Sequence, residues 1–306
     1  MTRPIAATIL LLLAAGIPAD AATQHGQSHV QRIAVAHGDT IAVSSAGTGP
    51  AVLIVPGLLG SRHGFRHVTA SLVANGHRVI VLDPLGTGRS SRRRESDYSL
   101  EAQATRIAAV MDSLAMDSAV LICHSVAGSM CYRLGLLDAA RVRGIVAVNA
   151  GPDERASTPG LRMAMRFAPL IRLIGGAGSA RGRTRGGLRE SSVDPSWVTD
   201  EVVEAYTRPF GDMDAAFDAL GGMAAARDTV PLLPRLRLLD VPVLLLVGAA
   251  DMSGVTKQDE IEQLRAIPDF TVVRVDGAGA YIQEERPSAI LDAVRALADR
   301  TAPGAS

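Results

Sequence analysis

Short apolar runs recur along this chain, with segments of helical spacing between them. The six clearest runs are almost free of polar residues and cover residues 51–55, 78–82, 119–122, 144–149, 241–247 and 270–275. Strands have this composition when a parallel sheet is buried on both faces, because neither side of the strand meets water. Segments such as residues 65–73 carry apolar residues at helical spacing instead. This alternation predicts an α/β fold with a doubly wound, mostly parallel sheet.

Two segments depart from the alternation. Residues 30–36 and 40–45 alternate in polarity around a short turn, which predicts a β-hairpin before the first buried strand. Residues 151–234 contain no strand-like run, and a structureless loop of that length is unusual in a compact domain. We therefore predict a helical cap over residues 151–234, inserted before the seventh strand into a core of residues 23–150 and 235–301.

The N-terminus indicates export. Arg3 precedes an apolar run at residues 5–17, which is too short to span a bilayer, and small residues follow at 19–22. This order is typical of a signal peptide, which we place at residues 1–22. We expect a periplasmic or secreted protein with no integral membrane segment after cleavage.

The charge balance disfavours some classes of partner. The chain has 31 Lys and Arg residues against 31 Asp and Glu residues, so no overall field favours nucleic acid or an anionic membrane. Arginine clusters at residues 92–94 and 181–185 are local. We interpret them as solvated charge, with an anionic substrate or partner as the alternative.

Ser125 is the strongest candidate for chemistry. It lies in residues 123–128, C-H-S-V-A-G, between the apolar run 119–122 and a helical pattern. A serine on such a tight strand-to-helix turn is exposed at a helix N-terminus, where developing negative charge is favoured. The usual pattern is G-x-S-x-G, and here Cys123 and Ala127 replace the glycines by other small residues. The alternative is an ordinary turn serine.

The ends of other runs strengthen this interpretation. Residues 55–61 read V-P-G-L-L-G-S, residues 83–90 read D-P-L-G-T-G-R-S, and residues 248–251 read G-A-A-D. With the serine turn, these motifs follow the order of the α/β-hydrolase family, which the chain resembles from about residue 51 to residue 287.

The resemblance implies a capped, eight-stranded sheet and a set of site residues. Ser125 would be the nucleophile and Asp251 the acid that orients a histidine. The backbone N–H groups of Leu58 and Val126 would stabilise the oxyanion. The family cleaves esters, amides, thioesters or related bonds in small molecules, and it implies no metal and no organic cofactor. The glycine pair in residues 86–88 lacks the third glycine of a dinucleotide site.

Alanine occupies the position of the catalytic histidine. In the family, that histidine follows the last strand and is followed by four residues and E-x-P. Residues 277–280 read G-A-G-A, and residues 285–287 read E-R-P at the required distance, so the histidine position is Ala280. A serine hydroxyl is a weak nucleophile without a base, so we expect strongly impaired hydrolysis.

No other side chain is a clear substitute base. All seven histidines precede Ser125 or adjoin it. We expect His124 to be a hydrogen-bonded buried histidine, because neighbouring strand side chains face opposite sides. His63 and His67 could approach the rim of the pocket, but from the wrong side of the serine. Tyr281 and the glutamates after it are expected to begin a helix and face outward.

Three functions remain open at this point. The first is a hydrolase for a carboxylic ester of a small apolar substrate, impaired by Ala280. The second is a non-catalytic protein that binds a small ligand in the same pocket. The third is an enzyme whose base comes from the substrate or the cap. In each case, Phe167, Trp197 and Tyr281 are the expected apolar contacts of the small molecule.

Overall fold

The computed structural model of the chain describes residues 30–57, 60, 62–157, 159–167 and 177–300. The predicted signal peptide at residues 1–22 and the predicted oxyanion donor Leu58 lie outside the described residues.

Eight strands form a single sheet in the described part of the chain. They are β1 Val30–Ala34, β2 Thr40–Ala46, β3 Ala51–Val55, β4 Arg78–Asp83, β5 Ala119–His124, β6 Val142–Val148, β7 Val243–Gly248 and β8 Phe270–Val275. The strand order is β1-β2-β4-β3-β5-β6-β7-β8. The hairpin β1–β2 and the pair β2–β4 are antiparallel, and all other pairs are parallel. The predicted mostly parallel, eight-stranded sheet is confirmed.

The central strands are apolar because they contribute to a core on each face of the sheet. In β3, Leu53 and Val55 belong to one hydrophobic cluster, whereas Val52 and Ile54 belong to the other. Side chains of a strand alternate between faces, so burial on both faces requires apolar residues in succession. Every residue of β5 is buried in this way.

Helices cover both faces of the sheet and fill the long insertion. Those of the described residues are α1 Arg66–Ala74, α2 Leu100–Ser113, α3 Ala127–Leu137, α4 Pro159–Arg166, α5 Ala177–Glu190, α6 Asp200–Thr207, α7 Met213–Ala225, α8 Gln258–Leu264, α9 Ile282–Glu285 and α10 Pro287–Arg300. Helices α1 and α10 pack together on one face, and α2 and α3 pack together on the other. None of the described helices is both long and apolar enough to cross a membrane.

The described residues between β6 and β7 are helical or irregular. Side-chain caps begin two of these helices: the Thr199 hydroxyl accepts from the Val202 N–H at α6, and the Asp212 carboxylate accepts from the Ala215 N–H at α7. Helices α5 and α6 bury a small cluster of their own that includes Tyr206, and Tyr281 of the core packs against it. The insertion therefore contacts the segment that follows β8.

Candidate active site

Ser125 occupies a strained turn between β5 and α3. Its φ of 56° lies in the left-handed region, which residues other than glycine rarely adopt. The Ser125 N–H donates to the Val148 carbonyl at 3.1 Å, and the Gly128 N–H donates to the Ser125 carbonyl at 2.9 Å. A Cβ on Gly128 would lie 2.6 Å from the Ala150 Cβ, so this glycine allows α3 to approach the end of β6. The turn presents a partly exposed serine at the carboxyl edge of the sheet.

The chain after β3 runs directly against this turn. A Cβ on Gly57 would lie 3.3 Å from the Ser125 Cβ and 3.1 Å from the His124 carbonyl oxygen, so a side chain would crowd the contact. The N–H of Val126 has no hydrogen-bond partner among the described residues and lies at the N-terminus of α3. It is therefore free to donate to negative charge beside Ser125.

Ala280 is buried, and two side chains from the sheet hold its carbonyl. His124 Nε2 lies 3.1 Å from the Ala280 carbonyl oxygen, and Asn149 Nδ2 donates to the same oxygen at 3.2 Å. Because a carbonyl only accepts, Nε2 of His124 carries the proton. Burial lowers the pKa of His124 to about 4, so the ring is neutral near pH 7. The expected hydrogen-bonded buried histidine is confirmed.

Comparisons with known proteins support the fold on which this site is built. The family model of the α/β hydrolase fold matches residues 50–170. The chain has the α/β-hydrolase fold. Epoxide hydrolase A of Mycobacterium tuberculosis (strain ATCC 25618 / H37Rv) is 23% identical over 319 residues, which cover 86% of this chain and 95% of that protein.

Two further matches cover very different shares of the chain. RutD of Variovorax paradoxus (strain S110), a protein named for carbamate hydrolysis, is 34% identical over 108 residues, 35% of this chain and 41% of that protein. The structure of a thermophilic esterase from Thermogutta terrifontis superposes with a TM-score of 0.71 at 23% identity, covering 89% of this chain and 99% of that chain. At this identity the esterase shares the fold of this chain, and nothing finer follows for the substrate.

Asn149 is a site residue that the sequence reasoning missed. It ends β6 with a φ of 42° and is 3% exposed. Its Oδ1 accepts from the Gly248 N–H at 3.1 Å, and its Nδ2 donates to the Gly279 carbonyl at 2.9 Å as well as to that of Ala280. One amide thus joins the ends of β6 and β7 to the turn after β8. The available signal was a polar residue at the end of an apolar run, of a type that tolerates left-handed backbone.

The predicted acid, Asp251, lies in a loop beside this turn with its side chain exposed. It makes no hydrogen bond or ion pair with any described residue. The loop itself touches the turn: a Cβ on Gly254 would lie 2.9 Å from the Ala280 Cβ, and the Ala250 N–H donates to the Ala278 carbonyl at 3.4 Å. The structure therefore brings the loop of Asp251 to position 280, but leaves the carboxylate in solvent.

The insertion closes over position 280 from the other side. The Ala280 N–H donates to the Ser191 carbonyl at 2.9 Å. The Glu285 carboxylate accepts from the N–H groups of Val193, Asp194 and Gly279 at 2.7, 2.9 and 2.7 Å. We call residues 191–194 the strap. The strap is held against the turn by these hydrogen bonds, and Ala280 is only 4% exposed.

The expectation that the residues after Ala280 face outward is wrong. The Glu284 side chain is fully buried, with Arg66 Nη1 at 2.8 Å and the Tyr206 hydroxyl at 3.3 Å from its Oε1. Burial raises the pKa of Glu284, and the Arg66 guanidinium offsets part of that rise. Tyr281 is partly buried, and Ile282, Gln283 and Glu284 are all buried, because α9 lies between the core and the insertion.

The three predicted apolar contacts are not brought together. The Trp197 and Tyr281 rings lie 5.4 Å apart, and the Tyr281 and His124 rings lie 5.9 Å apart, so these side chains connect the insertion to the serine turn. Phe167 is 56% exposed at the end of α4 and has no place in this cluster. No hydrogen bond joins Ser125 to a histidine among the described residues.

Proposed function

We propose that this α/β hydrolase is a serine hydrolase for a carboxylic ester of a small apolar molecule, and that Ala280 leaves it strongly impaired. The observation that carries the proposal is the backbone of Ser125. A left-handed serine costs about 1–3 kcal/mol and persists only where the surrounding fold enforces it. Its strained turn, the close approach of Gly57 and the free Val126 N–H support a nucleophile, while Ala280 offers no base.

The missing base decides the expected rate. Removing the catalytic serine or histidine of a serine protease lowers turnover by roughly 10⁶, which corresponds to about 8 kcal/mol of activation free energy. Oxyanion donors and substrate binding alone retain about 10³–10⁴ over the reaction in water. We therefore expect weak residual turnover in the chain as it stands.

Restoring the base tests the proposal. We expect Ala280→His to raise kcat/KM on short p-nitrophenyl esters by at least about 10²-fold, since a positioned general base contributes that much. Ala280→Asn is the matched control, because it adds a polar side chain of similar size without basicity and should give no gain. Adding Ser125→Ala to Ala280→His should abolish the gain. A folded Ala280→His variant that gains nothing would contradict the proposal.

The same background tests Asp251. Adding Asp251→Asn to Ala280→His removes the carboxylate that would orient the new imidazole. An orienting acid contributes up to about 10⁴ to turnover in a serine protease triad, so most of the gain should disappear. A gain that is unchanged by Asp251→Asn would assign the orienting role to another group.

A non-catalytic binding protein is the second candidate. The observation that favours it is the strap, whose hydrogen bonds over Ala280 occupy the turn at which a base would work. Trp197 is the only tryptophan of the chain and touches Tyr281, so its fluorescence reports on this region. We expect binding of ethyl butyrate to change that fluorescence saturably, equally in the unmodified protein and in Ser125→Ala.

A fluorophosphonate probe distinguishes a non-catalytic binding protein from an enzyme whose base comes from the substrate or the cap. A binding protein with an unactivated serine would stay unlabelled, whereas labelling of the unmodified chain at Ser125 would indicate a base supplied from elsewhere. A linear, non-saturable fluorescence change would count against ligand binding.

A further inference from the structure

The charge of the chain is unevenly distributed. Residues 155–189 contain eight arginines and no lysine, aspartate or glutamate, although the chain as a whole is neutral. The rest of the chain therefore carries the compensating acidic excess. Such a basic segment attracts anionic partners locally, even where the net charge attracts none.

Helix α4 combines this charge with exposed apolar side chains. Met163 is 54% exposed and Phe167 is 56% exposed, and they lie one helical turn apart. Met165 is on the other face, where its Cε would lie 3.8 Å from a Cβ on Gly221 of α7. The exposed pair is thus not the side by which α4 packs on the protein.

The arginines of α4 lie along one edge of the exposed pair. Successive helical residues turn by about 100°, which places Arg162 and Arg166 between the face that packs on α7 and the face that carries Met163 and Phe167. Arg166 is exposed, while Arg162 is partly exposed and donates to the Ser157 carbonyl. An apolar face bordered by cationic side chains is the pattern of a helix that lies in a membrane interface.

Helix α5 adds further exposed positive charge. Arg181, Arg183 and Arg189 are exposed, and Arg185 forms an ion pair with Asp200 of α6. Leu188 is buried in the cluster around Tyr206, so α5 is anchored to the insertion by an apolar side chain while its arginines face solvent.

We propose that α4 docks this protein on an anionic phospholipid bilayer, with the arginines of α5 contributing positive charge to the same insertion. Met163 and Phe167 enter the boundary between headgroups and acyl chains, and the arginines bind the phosphate and anionic headgroups around them. A basic residue near an anionic membrane surface contributes about fivefold to affinity. The excess of arginine over acidic residues in residues 155–189 favours an anionic surface over a neutral one.

Vesicle flotation of the full chain tests this surface. Vesicles of phosphatidylcholine alone are compared with vesicles in which part of that lipid is replaced by phosphatidylglycerol. We expect binding to the second kind only, with binding that weakens as salt is added. Met163→Ser with Phe167→Ser should weaken binding by about tenfold or more through lost apolar burial, and Arg162→Gln with Arg166→Gln should do so through lost charge.

Two exposed leucines far from α4 in the sequence provide the matched control. Leu137 and Leu238 are 61% and 57% exposed, so Leu137→Ser with Leu238→Ser removes a similar apolar area. This variant should bind vesicles as the unmodified protein does. Equal binding to both vesicle types, no binding to anionic vesicles, or a loss equally large in the leucine variant would each overturn the proposal. Binding to heparin but not to anionic vesicles would overturn it in favour of a soluble polyanion.

Discussion

Asn149 connects three backbone segments of the site. Its amide accepts from the Gly248 N–H and donates to the carbonyls of Gly279 and Ala280, the second of which it shares with His124. A buried polar group that lacks a hydrogen-bond partner destabilises the fold. The cost of losing the Asn149 amide is larger here because its three backbone partners belong to segments that meet at Ala280. The geometry of position 280 therefore depends on a residue that is distant in sequence.

Substitution of Asn149 should strongly destabilise the folded state. We expect Asn149→Ala to lower the free energy of unfolding by about 2–4 kcal/mol, from three lost hydrogen bonds and the left-handed backbone that alanine tolerates poorly. Asn149→Gly should cost less, because glycine accepts that backbone. Urea denaturation measures both. Asn75→Ala, at the other asparagine of the chain, is exposed and should cost less than about 1 kcal/mol. Equal losses at the two positions would contradict this role.

Helix α9 is short, but it contacts both the core and the insertion at the site. The Glu284 carboxylate pairs with Arg66 of α1 and accepts a hydrogen bond from the Tyr206 hydroxyl of α6. The Glu285 carboxylate accepts from the backbone of the strap. The bonds to Tyr206 and to the strap join the core to the insertion, while the Arg66 ion pair fixes Glu284 within the core; hydrogen bonds to a carboxylate are stronger than neutral ones. The insertion is therefore fixed at the place where a catalytic base would act.

The buried Glu284 carboxyl makes stability depend on pH. The folded state raises the pKa of Glu284 above its ordinary 4.5, so the folded chain binds this proton more tightly than the unfolded chain does. The contribution to the free energy of unfolding is complete below 4.5 and is lost as the pH rises through the raised pKa.

Glu284→Gln cannot titrate and should remove this contribution. We expect the unmodified protein to gain stability relative to Glu284→Gln as the pH falls toward 4.5, measured by urea denaturation at a series of pH values. Tyr206→Phe leaves the carboxyl in place, so it should retain the trend of the unmodified protein. A stability difference for Glu284→Gln that is constant with pH, or that grows with rising pH, would refute this assignment.

At the scale of the whole molecule, the sheet could be predicted from the sequence. The contacts that the side chains of the site make could not. Runs such as residues 119–122 reveal a strand because both of its faces are buried, and Ser125 follows from its place between strand and helix. Burial of Glu284 depends on an insertion from another part of the chain. The free carboxylate of Asp251 depends on loop geometry, which local sequence does not determine.

The hydrogen bonds at Ala280 have an evolutionary consequence. His124, Asn149 and Ser191 all engage the backbone of residue 280, and none engages its side chain. The backbone bonds that shape the turn therefore do not depend on the chemistry of the side chain at this position, although its size must fit a buried site. A polar or basic side chain of suitable size can replace alanine there without the loss of any of these bonds. A lineage with this scaffold can lose its base without losing the protein, and can regain it by a change at one position.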